Sequence, residues 1–204
     1  TNYSCEDADY TLRLWKHLKS LLVKNKLMAI YENIEKPLIK VIADMEVKGI
    51  KVDKKSLQKL SKEFEYEIVE LQNRIYSICG QEFNINSTKQ LGSILFETLD
   101  LPHRKKNKSG GFSTNSEILE LLMEEGFEIA KLILKWREVN KLKNTYTDSL
   151  VLNINNKTKR IHTTFQMTGA QTGRLSSTDP NLQNIPIKTE NGKKIRKSFI
   201  AEEG

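Results

Sequence analysis

The stretch from Val52 to Ile78, VDKKSLQKLSKEFEYEIVELQNRIYSI, decides how the rest of the chain is read. Its apolar residues Leu57, Leu60, Phe64, Ile68, Leu71, Ile75 and Ile78 step by 3, 4, 4, 3, 4 and 3, the spacing that gathers side chains on one face of an α-helix. Asp53 stands where a carboxylate caps a helix start, and Val52 and Leu57 occupy the two positions of a hydrophobic staple. The pattern predicts a helix of about 27 residues, which at about 1.5 Å per residue is roughly 40 Å long. One small core does not cover such a length, so this helix is expected to project and to pair with a returning one.

The segment from Thr114 to about Tyr146 offers that return, opened by a capping box, Thr114-Asn115-Ser116-Glu117, and interrupted near Gly126. Between the two long segments a short helix begins with another box, Ser87-Thr88-Lys89-Gln90, and a glycine-containing loop follows at the expected tip of the stalk. Earlier in the chain Ala8, Leu12, Trp15, Leu18 and Leu22 mark one helical face, and Ile34, Leu38, Val41, Ile42 and Met45 mark a second, from about Glu32, with Pro37 near its first turn and Gly49 as a left-handed stop. After Leu150 the period becomes two. Ile161, Thr163 and Phe165 alternate with Arg160, His162 and Thr164, and Ser198-Phe199-Ile200-Ala201 reads as a further strand. The expected fold is mainly α with a small β part (α+β): a long antiparallel helical stalk joined to a few strands.

The chain has 33 Lys+Arg against 26 Asp+Glu, a net charge of +7 over 204 residues, which favours a polyanionic partner such as nucleic acid. The charge is concentrated. Arg104, Lys105, Lys106 and Lys108 share the tip loop with no acid among them, and Lys193, Lys194, Arg196 and Lys197 crowd another segment. Both sets read as phosphate contacts. Cys5 and Cys79 have neither CxxC nor Cys/His spacing, so no zinc site or disulfide framework is indicated and a reducing cytoplasm is expected. No apolar run approaches the roughly 20 residues of a membrane span. The first residue is Thr, and the chain ends soon after the run at Ser198–Ala201; both ends are expected to be cuts from something longer.

One polar stretch remains, Arg174-Leu175-Ser176-Ser177-Thr178-Asp179-Pro180-Asn181-Leu182-Gln183-Asn184-Ile185-Pro186. Two prolines and helix-poor residues exclude a helix. Amide side chains donate and accept, and the minor groove of a duplex presents an acceptor on every base, so Arg and Gln aimed there sense duplex shape without choosing a sequence. Loop Asn and Ser also cap their own backbone, so chemistry alone leaves both readings open.

This stretch, with Lys141-Leu142-Lys143-Asn144-Thr145-Tyr146-Thr147-Asp148 and Asn86-Ser87-Thr88-Lys89-Gln90-Leu91, closely resembles the bacterial DNA polymerase I family, the family A DNA-dependent DNA polymerases. The likeness is collinear across nearly the whole chain. It implies residues 1–26 as the end of a 3′–5′ exonuclease domain, 27–150 as the thumb and 151–204 as the first part of the palm. By this resemblance Arg174 reaches the minor groove at the primer terminus, and Asn181 and Gln183 contact nearby base edges. Lys141 contacts DNA near the thumb base, and Ser87, Thr88 and Lys89 lie on the primer backbone, where a helix start with a lysine suits an anion. The segment Gln166-Met167-Thr168-Gly169 departs from the commoner family pattern, which leaves the local palm contacts open.

Tyr3-Ser4-Cys5-Glu6-Asp7 matches the family's third exonuclease motif, in which the carboxylate holds a divalent metal and the phenol orients the attacking water. Asp7 is thus implied as a metal ligand only in a complete exonuclease site. The polymerase carboxylates are implied to lie beyond Gly204. The resemblance implies a parent enzyme, a DNA-directed DNA polymerase using Mg²⁺ and deoxynucleoside triphosphates in replication and repair, cytoplasmic, bacterial and monomeric. The present chain is expected to grip primer-template duplex without catalysis and without a bound cofactor. The alternative is an independent helical DNA-binding or adaptor protein.

Overall fold

The structure, a computed structural model, describes residues 2–102, 105–106 and 110–202. In order these form α1 (Asn2–Lys24), α2 (Met28–Ile30), α3 (Lys36–Lys48), β1 (Ile50–Lys51), α4 (Lys54–Cys79), α5 (Thr88–Ser93), α6 (Ser116–Glu124), α7 (Glu128–Leu142), α8 (Ser149–Leu152), β2 (Arg160–Ile161), β3 (Thr164–Gln166), β4 (Ser176–Thr178) and α9 (Glu190–Lys197). Wider π-helical turns at Tyr31–Glu35, Ile94–Thr98 and Lys143–Asp148 continue α2, α5 and α7. The mainly helical, small-sheet fold is the expected one. Two compact units result, Thr1–Gly49 with His162–Asp179, and Ile50–Ile161 with Pro180–Gly204.

The larger unit is built on α4. The Asp53 carboxylate accepts the N–H groups of Lys55 and Ser56 at 3.0 and 3.2 Å, and Val52 and Leu57 are both buried. This is the capped and stapled start expected of the sequence. Leu57, Leu60, Phe64, Ile68, Leu71 and Ile75 all face the core, but at the last turn Cys79 is buried and Ile78 is exposed. A helix of 3.6 residues per turn drifts across a strict 3–4 stripe, and the core edge falls one residue later. One apolar cluster lines α4 from Leu57 to Cys79, with α5, α6 and α7 supplying the other side, so the helix does not outrun its core.

The partner of α4 is α7, and their polar rim gives the direction. Arg74 pairs with Glu128 at 2.7 Å, Glu67 with Lys135 at 3.7 Å and Glu65 with Lys143 at 2.8 Å. Numbers fall along one helix as they rise along the other. The helices are therefore antiparallel. Gly126, at φ 92°, makes the break between α6 and α7 in a backbone region that a side chain disfavours. The cap of α6 differs from the expected box: Asn115, not Thr114, accepts the N–H of Ile118 (3.1 Å). Thr114 is buried, and its carbonyl and hydroxyl oxygens accept the Arg137 guanidinium at 2.5 and 3.2 Å.

Two small antiparallel sheets complete the fold. β1 pairs with β2, Ile50 opposite Ile161, and β3 pairs with β4, Phe165 opposite Ser177. Alternation across residues 160–165 is as expected, with Ile161 and Thr163 buried, but it is divided between the two sheets. The expected strand at Ser198–Ala201 is only a bridge, Phe199 to Val52, because Ser198 still belongs to the end of α9.

In the smaller unit α3 carries β3. The Glu46 carboxylate accepts the Phe165 N–H (2.6 Å), and its carbonyl oxygen lies 2.8 Å from His162 Nδ1. Pro37 follows the π-helical turn Tyr31–Glu35, where the ring's lack of an N–H leaves a regular turn unfinished. Gly49 ends α3 at φ 66° but ψ 179°, so the chain extends directly into β1 instead of taking the expected left-handed helical stop. Of the apolar stripe expected on this helix only Ile42 is buried, and on α1 Leu12, Trp15 and Leu18 are exposed.

Candidate nucleic-acid interface

The predicted contact residues of the larger unit fall at two places. The first is the start of α5. Ser87 caps the helix, its hydroxyl accepting the Gln90 N–H at 3.4 Å, so that side chain serves the helix itself. The reciprocal half of the box is absent: the Gln90 side-chain oxygen accepts the Asn84 N–H at 2.8 Å. Thr88 and Lys89 are exposed, and with Ser93, Lys106 and Gly110–Phe112 they line a notch of about 460 Å³. The two lysines thus come from separate sequence motifs, and Glu97 is the acid on the same wall. Lys105 is exposed beside Lys106. Arg104 and Lys108 lie outside the described residues.

The second place is where α7 meets the stretch Asn181–Pro186. Lys141 is exposed on the last turn of α7. Two residues on, the helix widens through Lys143–Asp148, and Tyr146 in this turn is buried and donates its O–H to the Asn184 carbonyl oxygen. Burial pushes the Tyr146 phenol above its ordinary pKa, so it stays a donor. Ile185 is buried and Leu182 half-buried against the same core, while Asn181, Gln183 and Asn184 are exposed. The apolar residues anchor the loop and present its amides. Asn181 also serves its own turn, its side-chain oxygen accepting the Gln183 N–H at 2.9 Å.

A polar cluster holds the widened turn to α4. Asp148 accepts from Lys143 (2.8 Å) and from the Ser61 hydroxyl (2.5 Å), and Lys143 also pairs with Glu65. Burial works to raise the Asp148 carboxyl, but the hydrogen bonds from Lys143 and Ser61 outweigh it and hold the group below its ordinary value. The same two acids hold Lys143 above its own. Nothing in the local sequence marks Ser61 as a partner of Asp148, 87 residues away.

In the smaller unit Arg174 is exposed just before β4, whose Ser177 is buried against Thr163 with hydroxyls 2.6 Å apart. Tyr3 and Asp7 stand one turn apart on α1, both exposed. Among the described residues no three His, Cys, Asp or Glu side chains converge to hold a metal ion, and a lone exposed carboxylate does not fit one. No described helix is long and apolar enough to cross a membrane.

A family model of DNA polymerase family A matches residues 54–204. The chain belongs to DNA polymerase family A. It is 48% identical over 204 residues to a DNA polymerase I of Rhizobium leguminosarum, covering 100% of this chain and 20% of that protein. To the DNA polymerase I of Caldicellulosiruptor bescii it is 50% identical over 192 residues, 94% of this chain and 22% of that one. Among solved structures it is similar to the POL domain of Pol1 from M. smegmatis in complex with DNA primer-template and dNTP, with a TM-score of 0.87 and 40% identity over 95% of this chain and 34% of that chain. This family A chain spans about a fifth of the length of those curated relatives.

Proposed function

We propose that this chain is the duplex-gripping part of a DNA-directed DNA polymerase that extends a primer 3′ end with deoxynucleoside triphosphates in DNA replication and repair. Residues 27–150 act as the thumb, 151–204 as the first part of the palm, and 1–26 as the end of a 3′–5′ exonuclease domain to which Tyr3 and Asp7 belong. The observation that carries this reading is the loop Asn181–Pro186 of the larger unit, where Ile185 is buried while Asn181 and Gln183 are exposed; in the smaller unit, taken by itself, Arg174 is exposed just before the buried Ser177. Buried anchors fix where the polar tips stand, and donors so fixed suit the acceptors that every base pair offers in the minor groove.

Phosphate contacts supply most of the affinity and the base-edge contacts supply alignment. Thr88, Lys89, Lys105, Lys106 and Lys141 take the first role, and Arg174, Asn181 and Gln183 the second. Asn181 acts through its amide N–H groups, since its oxygen is engaged within the turn. The divalent ions that serve primer extension, Mg²⁺ in this proposal, are held by carboxylates outside this chain, and Asp7 holds a metal only within a complete exonuclease site. The parent works as a monomer in the bacterial cytoplasm at the nucleoid.

Template-directed primer extension tests the reading. The full-length protein extends a primed template with Mg²⁺ and all four nucleotides, and the 204-residue chain alone extends nothing. Failure of the full-length protein, or extension by the isolated chain, overturns the assignment.

A further inference from the structure

Lys105 and Lys106 are held by contacts that carry no charge toward a partner. Phe112 forms an antiparallel bridge with Lys106, and the neighbouring Ser113 N–H donates to the Lys105 carbonyl oxygen at 2.7 Å. The two arms of the loop are thus zipped beside the two lysines. The Phe112 ring packs on Phe96, centroids 5.1 Å apart and planes tilted by 41°. Phe96 is fully buried within the core of the larger unit. Beneath Phe112 lies Gly92 of α5, where an added Cβ would stand 3.0 Å from the Phe112 Cβ, so the close approach requires glycine or a shift of the ring. Two residues beyond Phe112 the chain is pinned again by the Arg137 clamp on Thr114.

We infer that Phe112, seated on Phe96 and Gly92, is a positioning residue that sets where Lys105 and Lys106 stand relative to Lys89, so that the tip engages adjacent backbone phosphates as one preorganised group. The inference rests on the duplex-gripping reading and adds to it a device for register. A lysine on an unpinned loop loses conformational freedom on binding, whereas a zipped arm has lost it on folding. Phe112 is half-buried and uncharged; its effect on phosphate binding passes through the backbone pairing to Lys106.

The measurement is the salt dependence of duplex binding by the full-length protein, on a fixed primer-template without nucleotide, for Phe112→Ala, the milder Phe112→Leu and Gly92→Ala, and Lys105→Ala/Lys106→Ala with and without Phe112→Ala. Each phosphate contact adds about 0.9 to the slope of log K against log salt. Phe112→Ala is expected to lower the slope by roughly 0.9 to 1.8, one or two contacts. Gly92→Ala lowers it by part of that, and Phe112→Leu stays near wild type. In the double-lysine background Phe112→Ala causes no further fall, which a general loss of stability does not reproduce. If Phe112→Ala and Gly92→Ala keep the wild-type slope while the double-lysine variant lowers it, the positioning role is wrong and the tip still binds. If the double-lysine variant keeps the wild-type slope, the tip itself is outside the interface and the inference falls with it.

Discussion

Tyr146 donates its phenolic O–H to the main-chain carbonyl oxygen of Asn184, joining the widened end of α7 to the loop that presents Asn181 and Gln183. The bond is local to neither segment. It ties the exposed amides to the helix that carries Lys141, so the proposed base-edge and phosphate contacts have one frame. Tyr146→Phe keeps the ring in its buried place and leaves the carbonyl oxygen without this donor. The expected cost is about 0.5–1.5 kcal/mol of unfolding free energy, read by urea titration, with the urea dependence unchanged. A stability equal to wild type contradicts the tie.

The cluster of Ser61, Asp148 and Lys143 makes an acid-side prediction. Because the folded state holds the Asp148 carboxyl below its ordinary value, its contribution is present above the unfolded pKa of about 3.9 and is lost as pH falls through the lower folded value. Lys143, held above its ordinary value, contributes below about pH 10.4 and loses that contribution only as pH rises through its raised value. Thermal midpoints measured from pH 7 to pH 3 should therefore fall less steeply below about pH 4 in Asp148→Asn than in wild type. Equal slopes show that the carboxylate has no special place in the folded state.

Trp136 is buried, and among the described residues its indole N–H is the one fully buried side-chain polar atom that finds no partner. An unpaired buried donor costs about 1–3 kcal/mol. Trp136→Phe removes that donor together with part of the ring, and the two effects oppose. The expected change is within about 1 kcal/mol of wild type, against about 3–5 kcal/mol lost in Trp136→Ala. Chemical denaturation of the three proteins separates these outcomes; a Phe variant as unstable as the Ala variant means that the indole is satisfied.

What the sequence made legible was local. The stripe from Leu57 to Ile75 and the Asp53 cap depend on neighbours three or four residues away, and both stand as read. Where a distant residue intervenes, local rules mislead. Thr114 has the chemistry of a cap, but its oxygens are taken by Arg137, and Asn115 caps α6 instead. The stripe on α3 marks an apolar face without saying what covers it, and within this chain most of it is exposed. Charge counts found the tip loop, yet only the fold shows Lys106 and Lys89 lining one notch. Arg174 and the amides beyond it were legible as a polar stretch, and their buried anchors only from the fold.

The central claim is that Arg174 aligns a primer terminus in the full-length enzyme, and Arg174→Ala tests it most directly. One groove contact is worth about 1–3 kcal/mol by analogy with base-edge pairs, and the phosphate contacts still hold the duplex. Misplacing a reacting group by about 1 Å costs about a hundredfold in rate. Duplex affinity and single-turnover incorporation are measured at one salt concentration, with Arg174→Lys as the control that keeps charge without the planar fork. The account predicts that incorporation falls far more than affinity and that Lys restores only part of it; wild-type incorporation by Arg174→Ala contradicts it.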